Sequence, residues 1–584
     1  MPMKSFKTII LLIGIVLFVI GSLDCDRDRR PAEVKKVKAD RRLAEHSAEF
    51  EKRIYKVAEG VYSAVGYGLA NSIMLLGRDG VIIIDTMETQ EEFRAVMEDF
   101  RKITPLPVKA VIYTHFHPDH VNGTAVLQKE APMIYAHETL DGLVNRFYGE
   151  TSTIIGSRSM RMYGSYLDKK DVPNLGIGPF LGITPASTIG YLPPTKTFKD
   201  RLKATAAGIT FELIHAPGET DDQIYVWLTD RRILINGDNL YKSFPNLYTI
   251  RGTWFRSLKK WYQSVDMIRD LNPQILIPCH GRPISGAEEI QRIATDYRDA
   301  IQFVHDQSLR GMNLGLTPDE LADFVKLPEH LARSPYLQEY YGKVAWSARS
   351  MFDGNLGWFN GDSADLQPLS GKEEAKRIAE IAGGEDKLLE HMKRYEAKGE
   401  AQTVLQLSGY LLRLNPKNRE AREMRVKTLT ALGERENNAP ARYYYLTEAQ
   451  ELRSDFVALS KVKPDAALAN RFPLSLFFDS LVTGLDPQSS REVNKKVGIR
   501  FTDKNEAYTI HLRRGVAEIR PRLLDNLDML VYADSKAWKE MLLKIRNPLT
   551  TLPRFEYKKG NTLEFMRFLS HFNRPQPKRP VDAD

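Results

Sequence analysis

The sequence predicts a layered α/β domain followed by a helical region and a small α+β domain. Three observations carry that prediction. Between Tyr55 and Arg282, short continuous Val/Ile/Leu runs alternate with longer polar stretches. From about Thr317 to Ala458 the apolar residues recur at helical spacing. From about Asp465 short β-rich runs return, separated by turn residues such as Asp503-Lys504-Asn505. At ~150 residues per domain, a chain of 584 residues has room for three or four. With 42% hydrophobic and 27% charged residues, it is neither wholly disordered nor fibrous. Its two cysteines, Cys25 and Cys279, exclude a disulfide scaffold and a four-cysteine zinc site.

The amino terminus comes first. Lys4 and Lys7 precede the apolar run Ile9 to Ile20, a basic segment followed by an apolar one of signal-peptide length. The run is short for a spanning helix, which needs about 20 apolar residues. Residues 1–23 are expected to be a signal peptide or an uncleaved membrane anchor, and residues 24–50 a charged linker. Export, to the periplasm or to a membrane-anchored position, follows from that expectation. Small residues at Gly21-Ser22 offer a cleavage site. Asp24 makes Cys25 a poor match to a lipidation signal.

Residues 51–315 read as the catalytic domain. Its expected strands are Val81–Ile84, Val108–Tyr113, Ile209–Ile214, Ile224–Leu228, Ile233–Ile235 and Ile275–Ile277, continuous runs of the kind buried on both faces of a layered sheet. Several are followed closely by a polar residue: Asp85, His115, His215, Asp238 and His280. Function gathers on such strand-end loops. The Gly/Pro/Ser-rich segment from Asn145 to Thr197 carries Met160, Met162, Tyr163, Tyr166, Phe180 and Tyr191, and is expected to be an ordered lid. Residues 316–458 read as helical, opening with the helix start Thr317-Pro318-Asp319-Glu320. Leu411 to Leu432 form one repeat-like helical hairpin without an array. Residues 459–584 carry the strands Val497–Phe501, Tyr508–Leu512 and Val516–Ile519 and a helix over Ser535–Ile545.

The chemistry concentrates in Thr114-His115-Phe116-His117-Pro118-Asp119-His120, directly after an expected strand. Three of the chain's twelve histidines fall within six residues. Alternate residues after a strand can face one side, so His115 and His117 can share one ion, while Asp119 and His120 continue round the turn to serve a second. Imidazole and carboxylate suit zinc and similar ions.

This motif resembles that of the metallo-β-lactamase superfamily, and further residues match in order. Asp85 ends a strand. Pro217-Gly218-Glu219-Thr220 stands where that superfamily usually has Pro-Gly-His-Thr. Gly237-Asp238 follows the strand Ile233–Ile235, where a carboxylate typically bridges two metals, and Cys279-His280-Gly281 supplies the last histidine. Glu219 in place of a histidine resembles the alkyl sulfatase branch. So do Asn246-Leu247-Tyr248-Thr249-Ile250-Arg251-Gly252, Met162-Tyr163-Gly164, Leu192-Pro193-Pro194-Thr195, and the stretch from Tyr341-Gly342 to Leu356-Gly357-Trp358, which is similar to the start of that branch's dimerisation domain. The carboxy-terminal region is similar to a sterol-carrier-protein-like domain.

The resemblance implies an αββα metallo-β-lactamase sandwich, two Zn2+ per chain, a homodimer, and hydrolysis of alkyl sulfate esters by a water shared between the metals. His115, His117 and Glu219 would hold one metal and Asp119, His120 and His280 the other. Asp238 would bridge, with Asp119 and Asp238 as the catalytic carboxylates. Asp222 is the rival to Glu219. Arg251 and Asn246 would bind the sulfate group. No general acid is identified; Tyr163 and Tyr191 stand open between proton donation and packing. Departures from the branch are Asp238 in place of its usual Glu, Gly281-Arg282-Pro283 after the last histidine, and Thr220-Asp221-Asp222.

The net charge of +8 lies entirely in residues 461–584, which hold 23 Lys and Arg against 15 Asp and Glu. These charges are spread rather than clustered with aromatics, so no nucleic-acid platform is expected. A lipid-like groove could be lined by Leu523, Leu527, Met529, Leu530, Phe565, Met566 and Leu569, although most of these read as core. The partner expected is an alkyl sulfate or similar anionic amphiphile, with membrane contact only through an uncleaved amino-terminal segment. The alternatives are a dinuclear hydrolase of another ester (phosphoester or thioester) and a lipid-binding scaffold with a vestigial metal site.

Overall fold

The computed structural model describes residues 37–463, 465–573 and 575–579. The expected leader, residues 1–23, lies outside them, as do residues 24–36 of the expected linker. Residues 41–50 of that linker are folded. Asp40 caps a short helix over Arg41–His46, and a 3-10 turn over Ser47–Phe50 follows, with Leu43, His46 and Phe50 buried.

The catalytic region is built on two sheets. One runs in chain order through β1 (Arg53–Ala58), β2 (Val61–Val65), β3 (Ser72–Leu76), β4 (Val81–Ile84), β5 (Val108–Ile112), β6 (Met133–His137) and β7 (Lys196–Phe198). The first four pair antiparallel and β4 to β7 pair parallel. The other comprises β8 (Arg201–Ala206), β9 (Ile209–His215), β10 (Ile224–Leu228), β11 (Ile233–Ile235), β12 (Ile275–Ile277) and β13 (Ile284–Ser285), in the reverse of chain order.

Strand alternation sorts the apolar side chains into three layers. Ile82, Ile84, Ala110 and Ile112 meet Leu213, Val226, Leu228 and Ile235 between the sheets. Val81, Ile83, Val108 and Val111 face the other way, onto Phe93, Val96 and Phe100 of the helix Gln90–Ile103. Tyr225, Trp227, Leu234 and Leu276 face the helices Leu258–Leu271 and Ala287–Asn313. The result is the expected αββα sandwich. Its central strands β4, β10 and β11 are continuously apolar because both faces of each are covered.

The Thr317-Pro318-Asp319-Glu320 signal forms a capping box, with the Thr317 hydroxyl and the Glu320 carboxylate each bonded to the other's backbone. The repeat-like hairpin is the pair Ala401–Leu414 and Arg419–Arg435, followed by the helix Ala439–Ser454. The last sheet has the order β16 (Val516–Arg520), β15 (Ala507–Arg513), β14 (Asn494–Phe501), β17 (Met529–Ala533), β18 (Glu556–Lys559). Met529 and Phe565 belong to its buried core, while Met566 and Leu569 are half-buried against it. Among the described residues no helix is long and apolar enough to cross a membrane.

Candidate metal centre

The strand ends deliver the site. β5 leads through Tyr113 and Thr114 to His115. His117 then immediately precedes the short helix Pro118–Val121, whose first residue is proline, where a missing N–H costs nothing. That turn places Asp119 and His120 beside His115. The tight turn after β11 uses Gly237 at φ +54° to present Asp238, and the loop after β12 presents His280.

Two groups of buried ligand atoms converge. His115, His117, Glu219 and Asp238 form one, and Asp119, His120 and His280 form the other. Asp238 Oδ2 lies 3.0 Å from His280 Nε2, 3.4 Å from His120 Nε2 and 3.7 Å from His115 Nε2, between the two groups. Asp119 Oδ2 is 3.5 Å from His120 Nε2 and 3.6 Å from His280 Nε2. His120 Nε2 and Asp238 Oδ1 are buried with no hydrogen-bond partner. Orphaned, buried donors and acceptors of these types, set in adjoining groups, fit metal binding.

Outer contacts orient the rings. Asp85, at φ +59° after β4, receives the Thr114 N–H at 2.8 Å and its hydroxyl at 2.7 Å, and stands 2.7 Å from His120 Nδ1. The carboxylate thereby turns His120 Nε2 toward the centre. His280 Nδ1 lies 2.9 Å from the Leu69 carbonyl. Asn71 donates to the carbonyls of Pro278 and Gly281, and so brackets the His280 loop. Cys279 is buried beside Asp85 and His120, a small filler whose thiol burial holds protonated.

Burial pushes His115 down to about 3, helped by His120, and holds His117 well below its usual range, helped by His115 and Arg251. Against the same burial, Asp238 keeps His120 protonation favoured. Burial raises Glu219 to about 7 despite the opposing Arg256.

Arg251 is buried, with Nη2 3.3 Å from His117 Nε2 and its guanidinium 5.5 Å from the centre of the Phe147 ring. Asn246 is buried on the same loop, its N–H donating to the Tyr241 hydroxyl. Asp222 is buried but belongs to neither ligand group, and Glu219 does. His215 is stacked on His137 at 4.1 Å and bonded to the Asp221 carbonyl.

In the Asn145–Thr197 segment, the Tyr163 hydroxyl is 2.9 Å from that of Tyr341, and Tyr191 donates to Asp141. Burial raises Tyr163 to about 12, although Arg251 opposes the shift. Arg256, which the sequence does not single out, ion-pairs with Glu219 and donates to the Asn246 carbonyl at 2.6 Å. Its only signal was its position five residues after Arg251. Asn71 and the Leu69 carbonyl carry none, and Tyr341 stands out only as part of the segment similar to a dimerisation domain.

Three family descriptions match the chain in order: "Metallo-beta-lactamase superfamily" over residues 65–280, "Alkyl sulfatase dimerisation" over 317–455 and "Alkyl sulfatase C-terminal" over 463–581. A linear primary-alkylsulfatase from Pseudomonas sp. is 37% identical over 524 residues, covering 86% of this chain and 98% of the relative. An (R)-specific secondary-alkylsulfatase from Pseudomonas sp. is 28% identical over 482 residues, covering 79% of this chain and 72% of the relative. The solved structure of the stereoselective inverting sec-alkylsulfatase Pisa1 from Pseudomonas sp. shares the fold, with a TM-score of 0.84 at 24% identity over 93% of this chain and 88% of that one. The chain belongs to the alkyl sulfatase family of the metallo-β-lactamase superfamily.

Proposed function

We propose that the chain hydrolyses alkyl sulfate esters to an alcohol and inorganic sulfate, using two zinc ions. One observation carries this reading: Asp238 of one ligand group lies 3.0 Å from His280 and 3.4 Å from His120 of the other, and a buried arginine stands beside them. His115, His117 and Glu219 would hold one ion, Asp119, His120 and His280 the other, and Asp238 both. Bound there, such ions would supply Lewis acidity and a water that deprotonates near neutral pH.

The side chains do the rest. Asp119 and Asp238 offer carboxylate oxygens to accept the attacking water's hydrogen bond. Arg251 presents a planar fork to two sulfate oxygens and is held over Phe147 by cation–π attraction. Asn246 would add an amide donor. Held before reaction begins, these donors favour the charge that grows on the leaving oxygen.

The test is sulfate release from dodecyl sulfate by the zinc-loaded protein, with dodecyl phosphate and a fatty acyl thioester in parallel. Release from the sulfate, lost by at least ~100-fold in Arg251→Ala, agrees with the loss of one preorganised charge stabiliser. No release from fully metallated protein would sink the reading. Turnover of the phosphate or thioester alone would put another ester in its place, and no turnover of any with less than one ion per chain would leave a lipid-binding scaffold.

We also infer a homodimer. Support comes from the match over 317–455, and from Leu356, Trp358, Leu366 and Leu369 within it, each more than half exposed. Sedimentation of the full chain at its single-chain mass of 66.6 kDa would refute it. Export rests on Lys4, Lys7 and the Ile9 to Ile20 run, and recovery of the protein in the soluble cytoplasmic fraction of its host would refute it. The division into 51–315, 316–458 and 459–584 is supported by family matches that fall one within each span.

A further inference from the structure

The two ligand groups differ in the charges behind them. Behind the second stands an extra carboxylate: Asp85 touches His120 at 2.7 Å, and Asp119 belongs to that group alone. Among the described residues, no Lys or Arg is hydrogen-bonded or ion-paired to Asp119, His120 or His280. The first group has the opposite surroundings. Of its two carboxylates, Asp238 also lies close to the second group, while Glu219 is ion-paired with Arg256, and Arg251 Nη2 lies 3.3 Å from His117 Nε2.

Arg256 is 4% exposed. Its Nη1 serves both Glu219 Oε1 and the Asn246 carbonyl, while Nε and Nη2 are buried without a partner. A guanidinium this poorly satisfied has little besides Glu219 to neutralise it, so the pair is electrostatically close. A carboxylate has two oxygens, and with one held by Arg256 the other is left for a cation. The charge that this oxygen can offer is correspondingly reduced.

We propose that Arg256 makes the two metal positions unequal: by holding one oxygen of Glu219 it weakens the ion on His115, His117 and Glu219 relative to the ion on Asp119, His120 and His280, so that the first ion leaves first. Arg256 acts here as a positioning residue, through Glu219. The sign follows from charge. An outer carboxylate such as Asp85 raises the donor strength of the ligand it touches, and an outer guanidinium lowers it. Outer partners shift metal affinity by roughly 10–100-fold.

The proposal rests on the dinuclear metal reading above, and the experiment separates the two. Full-length zinc-loaded protein is equilibrated against buffers of graded free zinc, and zinc per chain is measured by elemental analysis. The wild type is expected to lose zinc in two steps, with a plateau at one ion per chain. Arg256→Met keeps the bulk and removes the charge. It should move the first loss to at least ~10-fold lower free zinc, narrowing the plateau. Arg256→Lys should keep the plateau. His117→Ala should hold one ion as tightly as the retained wild-type ion. Circular dichroism and thermal melting of each variant establish that it is folded, and the Lys variant supplies the comparison if Met is not. Loss of both ions in one step, an Arg256→Met first step at unchanged or higher free zinc, or loss of the tight ion in His117→Ala would overturn the proposal. If the wild type binds no zinc, the metal reading falls and takes the proposal with it.

Discussion

His46 shows what burial does to one titratable residue. Its ring is stacked on Tyr340 at 4.1 Å, meets Phe50 edge-on, and lies 2.9 Å from the Gly176 carbonyl. Burial lowers its pKa from 6.5 to about 4, and the carbonyl contact only partly offsets this. As pH falls, the unfolded chain therefore takes up a proton before the folded one. Above about pH 6.5 both states are neutral and stability is unaffected. Between 6.5 and 4 the folded state loses ground at ~1.4 kcal/mol per pH unit, and below 4 the loss levels off. His46→Gln keeps a donor for Gly176 and removes the titration. Urea unfolding of the metal-loaded proteins should show the wild type losing about 2 kcal/mol more than the variant from pH 6.5 to pH 5. Parallel curves would show that His46 is not buried as described. The other ring pair, His137 on His215, is less suited to this test, because His137 faces the neighbouring acids Glu138 and Asp200, which oppose its shift.

At the scale of elements, the Asn145–Thr197 segment is fixed from behind. Arg161, on the helix Ser152–Met162, donates Nε and Nη2 to the Glu451 carboxylate at 2.9 and 2.7 Å, and Nη1 to Ser157 at 2.7 Å. Both side chains are almost wholly buried. Glu451 belongs to the helix Ala439–Ser454 of the region that matches the dimerisation family, so the two segments are joined by one desolvated pair. Arg161→Met strands a buried carboxylate and should cost ~3–5 kcal/mol, whereas Arg161→Met with Glu451→Leu should recover most of it. Denaturant midpoints read both, and a single variant costing less than ~1 kcal/mol contradicts the buried-pair account.

The same scale explains what the sequence made legible. β4, β10, β11 and β12 fall on the continuous apolar runs because both faces of each are buried. β1 and β8 escaped notice. They are edge strands rich in Lys and Arg with only intermediate burial, and so carry no apolar run. Likewise His115 to His120 could be read because four ligands of two types lie within six residues. Arg256 could not, since its pairing with Glu219 exists only once the loop after β11 folds back over the Pro217-Gly218 turn.

For the molecule as a whole, charge and packing divide the chain differently. The excess of +8 sits in residues 461–584, yet the start of that stretch is part of the catalytic core: Leu468, Ala469, Phe472 and Phe477 lie in the same apolar cluster as Phe93, Phe116 and Val121. Phe472 packs at 5.4 Å on Tyr148, the Tyr148 hydroxyl exchanges hydrogen bonds with Asn122, and Asn122 follows two residues after His120. Arg471 adds a bond to the Tyr191 carbonyl in the Asn145–Thr197 segment. The carboxy-terminal region thus reaches the ligand turn through three side chains, and its loss should be felt at the metal centre as well as locally. Phe472→Ala removes the first link without touching a ligand. It should cost about 3 kcal/mol, the usual penalty for truncating a buried Phe. Because the cavity opens beneath Tyr148, the variant should also release zinc at higher free-metal concentration than the wild type, while Phe501→Ala, at the centre of the last sheet, should destabilise comparably and leave zinc affinity unchanged. Thermal melts and metal stoichiometry on the same samples distinguish the two. Equal zinc affinity in both variants would mean that the Phe472–Tyr148–Asn122 route carries packing alone.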